Sequence, residues 1–148
     1  MTREAALFDL DGTLCDTSGI DHLVTGDDAD YRAFHAASAG CPPRPDVLEA
    51  LEDARTRGLA VVLWTGREFV WRDLTLDWLD LHGIAHDGLY MRWAADYRPA
   101  TVVKTALLAD VEDDGLRIVE AWEDDAAIVA LLREAGVPTV HEVGGAAS

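Results

Sequence analysis

The stretch AALFDLDGTL, residues 5–14, decides how this chain folds. Its first four residues form an apolar run, which predicts a buried β-strand. Side chains two apart on a strand face the same side, so Asp9 and Asp11 are expected to point together at the strand end. Two adjacent carboxylates suit chemistry in which one attacks or binds a metal while the other moves protons. The stretch therefore predicts a catalytic site, and a strand followed by a simple Asp-Gly turn is the alternative.

A calcium-binding EF-hand loop is a second alternative, because it also begins with alternating acids. Such a loop needs Gly at its sixth position and Glu at its twelfth. Counted from Asp9, those positions hold Leu14 and Ile20. The sequence therefore excludes an EF-hand.

Length and composition favour one globular domain. The chain has 148 residues, of which 49% are hydrophobic, enough for a sizeable core. No apolar run reaches the length that crosses a membrane, and no signal peptide precedes the first strand, so we expect a cytoplasmic protein. Cys15 and Cys41 lack the spacing of metal ligands and are expected to be reduced thiols.

The net charge restricts the partners. There are 28 acidic and 12 basic residues, a formal charge of −16. Such a surface repels polyanions and offers no basic stripe for a nucleic-acid backbone, so an anionic substrate needs a local cluster of cations. Lys104 is the sole lysine. A compact point charge in a phosphate site is one reason to keep a lysine where arginine is used elsewhere.

Strand and helix patterns alternate along the chain, which predicts an α/β, Rossmann-like parallel sheet with helices on both faces. The predicted strands after the first lie near 59–64, 88–91, 117–122 and 137–141, and helices are predicted near 46–57, 68–82, after 99 and after 125. The second helix is expected to bury Val70, Leu74, Trp78 and Leu81.

The segments outside this alternation are short. We expect a single domain over residues 1–148, with a flap or insert at 16–45, which includes a helix near 31–39, and a flexible tail at 144–148. Neither the insert nor the segment between Arg67 and Lys104 is long enough to build a large lid. The cap is therefore minimal and the site open.

Polar groups follow several of the predicted strands, and the carboxyl ends of parallel strands gather at one edge of a sheet. The candidates at that edge are Asp9, Asp11, Thr65, Gly66, Arg67, Glu123 and Asp124, with Lys104 on a helix nearby. As alternatives, Thr65 could simply end a strand, and the acids at 123–125 could cap the helix that follows them.

This constellation resembles the haloacid dehalogenase (HAD) superfamily of phosphatases over nearly the whole chain. The resemblance implies that Asp9 is the nucleophile that becomes an aspartyl-phosphate, and that Asp11 is the general acid and base. It also implies that Thr65 hydrogen-bonds the phosphoryl oxygens and that Lys104 neutralises nucleophile and phosphate. Mg²⁺ would be held by Asp9, the backbone carbonyl of Asp11, and Asp124. Thr13 and Glu123 would not bind the ion themselves but would hold its ligands in position.

Within the superfamily, the chain is most similar to phosphatase domains of the bacteriophage polynucleotide kinase-phosphatase type, which remove nucleic-acid 3′-phosphates. The similar stretches are WTGRE at 64–68 and DYR at 96–98, together with Arg92 and VVK at 102–104. The resemblance implies that Gly66, Arg67, Arg92 and Arg98 contact the substrate. Asp125 stands where these domains usually have Arg. No Gly-rich loop ending in Gly-Lys-Ser/Thr is present, so the kinase motif is missing.

The sequence leaves the substrate open. We expect a magnesium-dependent phosphomonoesterase that acts on 3′-phosphorylated DNA or RNA ends or on nucleotides. A small-molecule phosphatase with 5′-nucleotidase-like activity is the first alternative, and a non-catalytic phosphate-binding module is the second. Trp93, which follows Arg92, is a candidate for stacking on a base.

Overall fold

The computed structural model describes residues 2–144, and residues 145–148 of the predicted tail lie outside the described residues. Five strands form one sheet in the order β3-β2-β1-β4-β5, and every pairing is parallel. The strands are β1 (Arg3–Asp9), β2 (Ala60–Glu68), β3 (Gly88–Arg92), β4 (Leu116–Glu123) and β5 (Thr139–Glu142). The central strand β1 is the apolar run that was predicted to decide the fold.

Helices cover both faces of the sheet. They are α1 (Tyr31–Ala37), α2 (Pro45–Thr56), α3 (Arg72–Leu81), α4 (Ala100–Asp113) and α5 (Ala126–Glu134). Side chains alternate along β1, so Ala6 and Phe8 pack with α2 and α3, while Ala5 and Leu7 pack with α4 and α5. Burial on both faces explains why the strand reads as a continuous apolar run.

The segment 16–45, which the sequence predicts to be a flap or insert, lies between the end of β1 and α2. It contains α1 and two 3₁₀ turns, Asp21–Val24 and Ser38–Gly40. The Trp78 indole nitrogen donates to the Cys41 carbonyl at 2.7 Å, which ties the insert to α3. Cys15 and Cys41 are both buried free thiols.

The buried face of α3 differs from the prediction. A 3₁₀ turn, Phe69–Trp71, precedes the helix and shifts its apolar face. Val70 is 66% exposed and Leu81 is 73% exposed, so the predicted stripe was wrong at both ends. Thr75, Trp78 and Leu79 are the buried residues of the helix.

Strand register brings the predicted site residues to one edge. Asp9 pairs with Trp64 on β2, and Phe8 pairs with Trp122 on β4. Thr65 follows Trp64, and Glu123 follows Trp122. Both residues therefore lie beside the C-terminal end of β1, at the carboxyl edge of the sheet. Within residues 2–144, no helix combines the length and the apolar character needed to cross a bilayer.

Candidate active site

Asp9 lies at the centre of a buried cluster with Lys104 and Glu123. The Lys104 ammonium donates to Asp9 Oδ1 at 2.8 Å and to Glu123 Oε1 at 2.5 Å. It also lies 4.6 Å from the centre of the Trp64 ring, a cation–π distance. All three charged side chains are buried. The only lysine of the chain therefore reaches the predicted nucleophile directly.

The three charged groups of this cluster shift one another's pKa values. Burial alone would raise the pKa of Asp9, but the Lys104 charge and neighbouring hydrogen bonds outweigh it and hold that pKa below its ordinary value. Burial and the charge of Asp9 raise the pKa of Glu123. Burial would lower the pKa of Lys104, yet the two carboxylates raise it. Asp9 is consequently an ionised carboxylate beside a permanent cation, the state that a nucleophile needs.

Asp124 closes the site on the side of Gly12. The Thr13 hydroxyl lies 3.1 Å from Asp9 Oδ2 and 3.1 Å from Asp124 Oδ1, and it donates to one at a time. Gly12 has φ +84°, and a Cβ added to it would lie 2.2 Å from Asp124 Oδ2. The close approach and the positive φ both require glycine there.

The three acids at 123–125 make different contacts. Asp125 caps α5 by accepting from the Ala127 amide at 2.9 Å, which accounts for the acidic residue where Arg was expected. Glu123 is committed at both oxygens, since Oε2 accepts from the Asp124 amide at 3.1 Å. Partial burial, together with a hydrogen bond to Asp9, raises the pKa of Asp124 to about 7. Among residues 2–144 no basic side chain forms a salt bridge with Asp124, and the charge of Lys104 offsets its raised pKa only in part.

These acids fit a divalent cation. Asp9, Glu123 and Asp124 each place one oxygen within 4.8 Å of the others. Both oxygens of Glu123 accept hydrogen bonds, one from Lys104 and the other from a backbone amide. The Thr13 hydroxyl can donate to only one of Asp9 and Asp124 at a time, which leaves oxygens on these two residues that could hold an ion. Carboxylate oxygens are the ligands that Mg²⁺ prefers. The part played by the Asp11 backbone carbonyl stays a prediction.

Arg67 is placed differently from the sequence expectation. It was predicted to contact the substrate, but its side chain is 1% exposed. Its Nε donates to Asp11 Oδ2 at 3.0 Å, and a second guanidinium nitrogen donates to Oδ1 at 2.5 Å. The third donates to the Thr75 hydroxyl at 2.9 Å. Each of the three guanidinium nitrogens donates to a protein group, and two of them fix the orientation of Asp11.

Thr75 is the residue that sequence reasoning missed. Its hydroxyl accepts from Arg67 and donates to the Trp71 carbonyl at 2.8 Å. The only available signal was a threonine on the apolar side of a helix. Burial alone would lower the pKa of Arg67, but the hydrogen bonds and charge of Asp11 raise it.

The remaining predicted residues lie beside the cluster. Thr65 is buried at the end of β2, where its hydroxyl accepts from the Arg67 amide at 3.1 Å. Arg92 donates to the Gly66 carbonyl at 2.8 Å and to the carbonyls of Asp96 and Arg98 at 2.8 and 2.7 Å. Arg98 pairs with Asp96 at 2.7 Å, and this pairing lowers the pKa of Asp96 to about 2. Both arginines thus organise the loop that follows β3.

The sequence matches a known protein family. A family model described as "Polynucleotide kinase PNKP phosphatase domain" matches residues 3–145. No curated protein sequence gives a significant match.

Solved structures share the fold. A Pnkp1/Rnl/Hen1 complex contains a chain with 26% identity and a TM-score of 0.79, and the match covers 95% of this chain and 47% of that one. A Pnkp1/Rnl/Hen1 RNA repair complex gives 24% identity, a TM-score of 0.79, and coverage of 96% and 44%. The class C acid phosphatase of Bacillus anthracis gives 14% identity, a TM-score of 0.67, and coverage of 95% and 66%. This chain spans less than half the length of the matched chain in each of the two Pnkp1/Rnl/Hen1 complexes, and the predicted α/β fold is confirmed.

Proposed function

The chain belongs to the family of polynucleotide kinase PNKP phosphatase domains, and from this premise we propose that it removes 3′-phosphates from nucleic-acid ends. Asp9 is the proposed nucleophile, and Mg²⁺ is the proposed metal. The observation that carries the proposal is the buried Asp9 carboxylate, held by Lys104 at 2.8 Å and next to the acid Asp124. A purely structural ion pair gives no reason for the second acid.

In the first step, an Asp9 carboxylate oxygen attacks phosphorus as the bond from phosphorus to the ester oxygen breaks. The leaving alkoxide takes a proton from Asp11, which must enter this step as the carboxylic acid, with the proton on an oxygen lone pair that Arg67 does not occupy. Asp9 then carries the phosphoryl group. The Lys104 ammonium has three hydrogens and uses two on Asp9 and Glu123, so the third is available to a phosphoryl oxygen. Covalent transfer splits one difficult hydrolysis into two easier steps.

In the second step, Asp11 takes a proton from water, and the resulting hydroxide displaces Asp9 from phosphorus. Inorganic phosphate leaves and Asp9 returns to a carboxylate. Both steps need Asp11 in a fixed position, and the two hydrogen bonds from Arg67 supply it. The Thr65 hydroxyl, buried at the same edge, is the proposed donor to the phosphoryl oxygens.

Asp9 and Asp124 would hold Mg²⁺, with the Asp11 carbonyl as the proposed third protein ligand. The ion, when bound, supplies positive charge against the repulsion between a carboxylate nucleophile and a phosphate dianion. The close approach of Gly12 to Asp124 and the raised pKa of that carboxyl support this assignment.

RNA 3′-phosphate ends are the first substrates to test. A structure similar to this chain is part of an RNA repair complex that includes Rnl and Hen1, and comparable protein partners are part of the proposal. We place the reaction in the cytoplasm, because the buried free thiols Cys15 and Cys41 suit a reducing compartment.

Net charge favours a second candidate, a nucleotide phosphatase. The chain carries a formal charge of −16, which opposes long contacts with a polyanion. A free nucleotide carries fewer charges than an oligonucleotide and is repelled less. The two candidates share every catalytic residue and differ only in what lies beyond the phosphate.

The reaction is tested with p-nitrophenyl phosphate and Mg²⁺. Asp9→Asn keeps the shape of the side chain and removes the nucleophile, so we expect activity to fall roughly a thousandfold or more. Asp80→Asn, an exposed acid at the far end of α3, is the matched control and keeps full activity. Unchanged turnover in Asp9→Asn would refute the nucleophile assignment.

The substrate is tested with a panel of 3′-phosphorylated RNA and DNA oligonucleotides and free 3′- and 5′-mononucleotides. We expect the highest kcat/KM on the oligonucleotide 3′ ends. Faster hydrolysis of a 5′-mononucleotide would favour the second candidate and leave the Asp9 chemistry intact.

A further inference from the structure

We propose that Phe69 and Trp93 form a stacking platform for the base of a terminal nucleotide in a single-stranded, 3′-phosphorylated end. This inference rests on the proposed function and names the part of the substrate beyond the phosphate. The two residues are called the aromatic platform below.

The aromatic platform is large and faces solvent. The ring centroids of Phe69 and Trp93 are 5.9 Å apart, and the ring planes make an angle of 23°. Phe69 is 47% exposed and Trp93 is 70% exposed, so stacking on each other does not bury them. Exposed aromatic faces of this kind bind unpaired bases, because every base offers a π-face.

The loop that carries Trp93 is fixed before any ligand binds. Arg92 holds the loop through the carbonyls of Asp96 and Arg98, and Glu68 accepts from the Ala95 amide at 3.3 Å. Ala95 has φ +61°, an unfavourable conformation for alanine that the surrounding bonds maintain. The backbone that carries Trp93 is therefore held in one conformation, which reduces the entropy that the loop loses on binding.

The aromatic platform is continuous with the active site. Phe69 comes four residues after Thr65 along the chain, so their Cα atoms are at most about 14 Å apart. Trp93 follows directly after β3, and its neighbour Arg92 donates to the Gly66 carbonyl beside Thr65. The platform therefore lies at the same carboxyl edge as Asp9, on the side of β2 and β3.

Charge identifies the ligand as a short single-stranded end. A cation lies near the platform, since the Arg72 guanidinium carbon is 5.8 Å from the Phe69 ring centre. The formal charge of −16 opposes contacts with a long polyanionic backbone. Stacking then supplies binding energy that phosphate contacts do not. A duplex end would have to unstack its terminal base first, so an unpaired end is favoured.

The test compares kcat/KM on a 3′-phosphorylated single-stranded oligonucleotide with kcat/KM on p-nitrophenyl phosphate. Loss of one base–aromatic stack corresponds to about 5- to 150-fold in binding. We expect Trp93→Ala to lower the ratio of the two values by about tenfold or more, mainly through KM for the oligonucleotide. The same result is expected on RNA and DNA.

Three controls make the result specific. Trp93→Phe keeps an aromatic face and should recover most of the lost ratio. Leu81→Ala removes an exposed apolar side chain at the opposite edge of the sheet and should leave the ratio unchanged. An oligonucleotide that lacks its two 3′-terminal bases should be a poor substrate for the wild type and should respond little to Trp93→Ala.

The outcomes separate this inference from the proposed function. An unchanged ratio in Trp93→Ala, on a wild-type enzyme that hydrolyses oligonucleotide 3′-phosphates, would overturn the aromatic platform alone. Wild-type enzyme that hydrolyses p-nitrophenyl phosphate but no oligonucleotide would overturn the nucleic-acid substrate and the platform with it.

Discussion

Asp124→Asn should stabilise the metal-free protein while it abolishes Mg²⁺-dependent activity. The Asp124 carboxyl lies in a cluster with Asp9 and Glu123, and Lys104 is already shared by those two acids. Its negative charge is therefore repelled by Asp9 in the absence of an ion. The substitution removes this charge and keeps the shape and the contact with Thr13.

The size of the effect follows from the pKa of Asp124, which is raised from 3.8 to about 7. A difference of one in pKa corresponds to about 1.4 kcal/mol, so the full penalty would be about 4 kcal/mol. Part of this carboxyl faces solvent, and screening reduces the expected gain to about 1–2 kcal/mol. For a domain of this size, the melting temperature should rise by about 2–8 °C.

The pH dependence has a definite sign. In the folded protein the Asp124 carboxyl binds its proton more tightly than in the unfolded chain, so its charge opposes folding as pH rises. The penalty is absent below about pH 4 and complete above about pH 7, given the raised pKa. The stability gained by Asp124→Asn should therefore be small at pH 4 and largest at pH 8.

Thermal or urea unfolding of EDTA-treated protein at pH 4, 6 and 8 measures this difference. Added Mg²⁺ should raise the stability of the wild type at pH 8, because the ion binds only the folded state, and should have much less effect on Asp124→Asn. A variant that is less stable than the wild type at pH 8, or that gains as much from Mg²⁺, would refute the reasoning.

Two further substitutions test the geometry. Arg67→Lys cannot make the bidentate contact with Asp11, so kcat on p-nitrophenyl phosphate should fall about 10- to 100-fold with little change in KM; a rise in KM alone would mean that Arg67 binds substrate. Gly12→Ala places a Cβ against Asp124 at a positive φ. It should therefore lower the free energy of unfolding by about 1–2 kcal/mol and remove the stimulation by Mg²⁺. A fully active variant would contradict the requirement for glycine next to Asp124.

The parallel α/β fold and the meeting of the candidate site residues at one edge of the sheet could be predicted because they depend on local patterns. The apolar runs of β1 and β2 are buried on both faces of the sheet, and such strands are continuous stretches of hydrophobic residues in the sequence. Strand ends in a parallel sheet share one edge, so acids that follow different strands meet without further information.

Arg67 shows what the sequence could not supply. Whether an arginine is buried depends on partners from distant segments, and here these are Asp11 after β1 and Thr75 on α3. The same contact explains the error on α3. A polar threonine faces inward because it satisfies a buried guanidinium, while Val70 and Leu81 are left exposed.

The role of Arg92 could not be predicted from the sequence for a related reason. Two of its three acceptors are main-chain carbonyls of a loop, and the third is the Gly66 carbonyl. Backbone acceptors have no residue signature, so a loop-organising arginine and a substrate-binding arginine look alike in a sequence. Only the fold shows that Arg92 connects the β2 end with the loop that carries Trp93.

The balance of charges within the site explains why the proposed metal ion is needed in addition to Lys104. Arg67 compensates Asp11, and Lys104 is divided between Asp9 and Glu123. Asp124 is left over, on a chain whose formal charge is −16. A phosphate dianion would meet net repulsion at Asp9 unless a cation held by Asp9 and Asp124 cancelled that excess. The same surplus of acids that opposes substrate binding in the metal-free protein would therefore favour the binding of the proposed divalent ion.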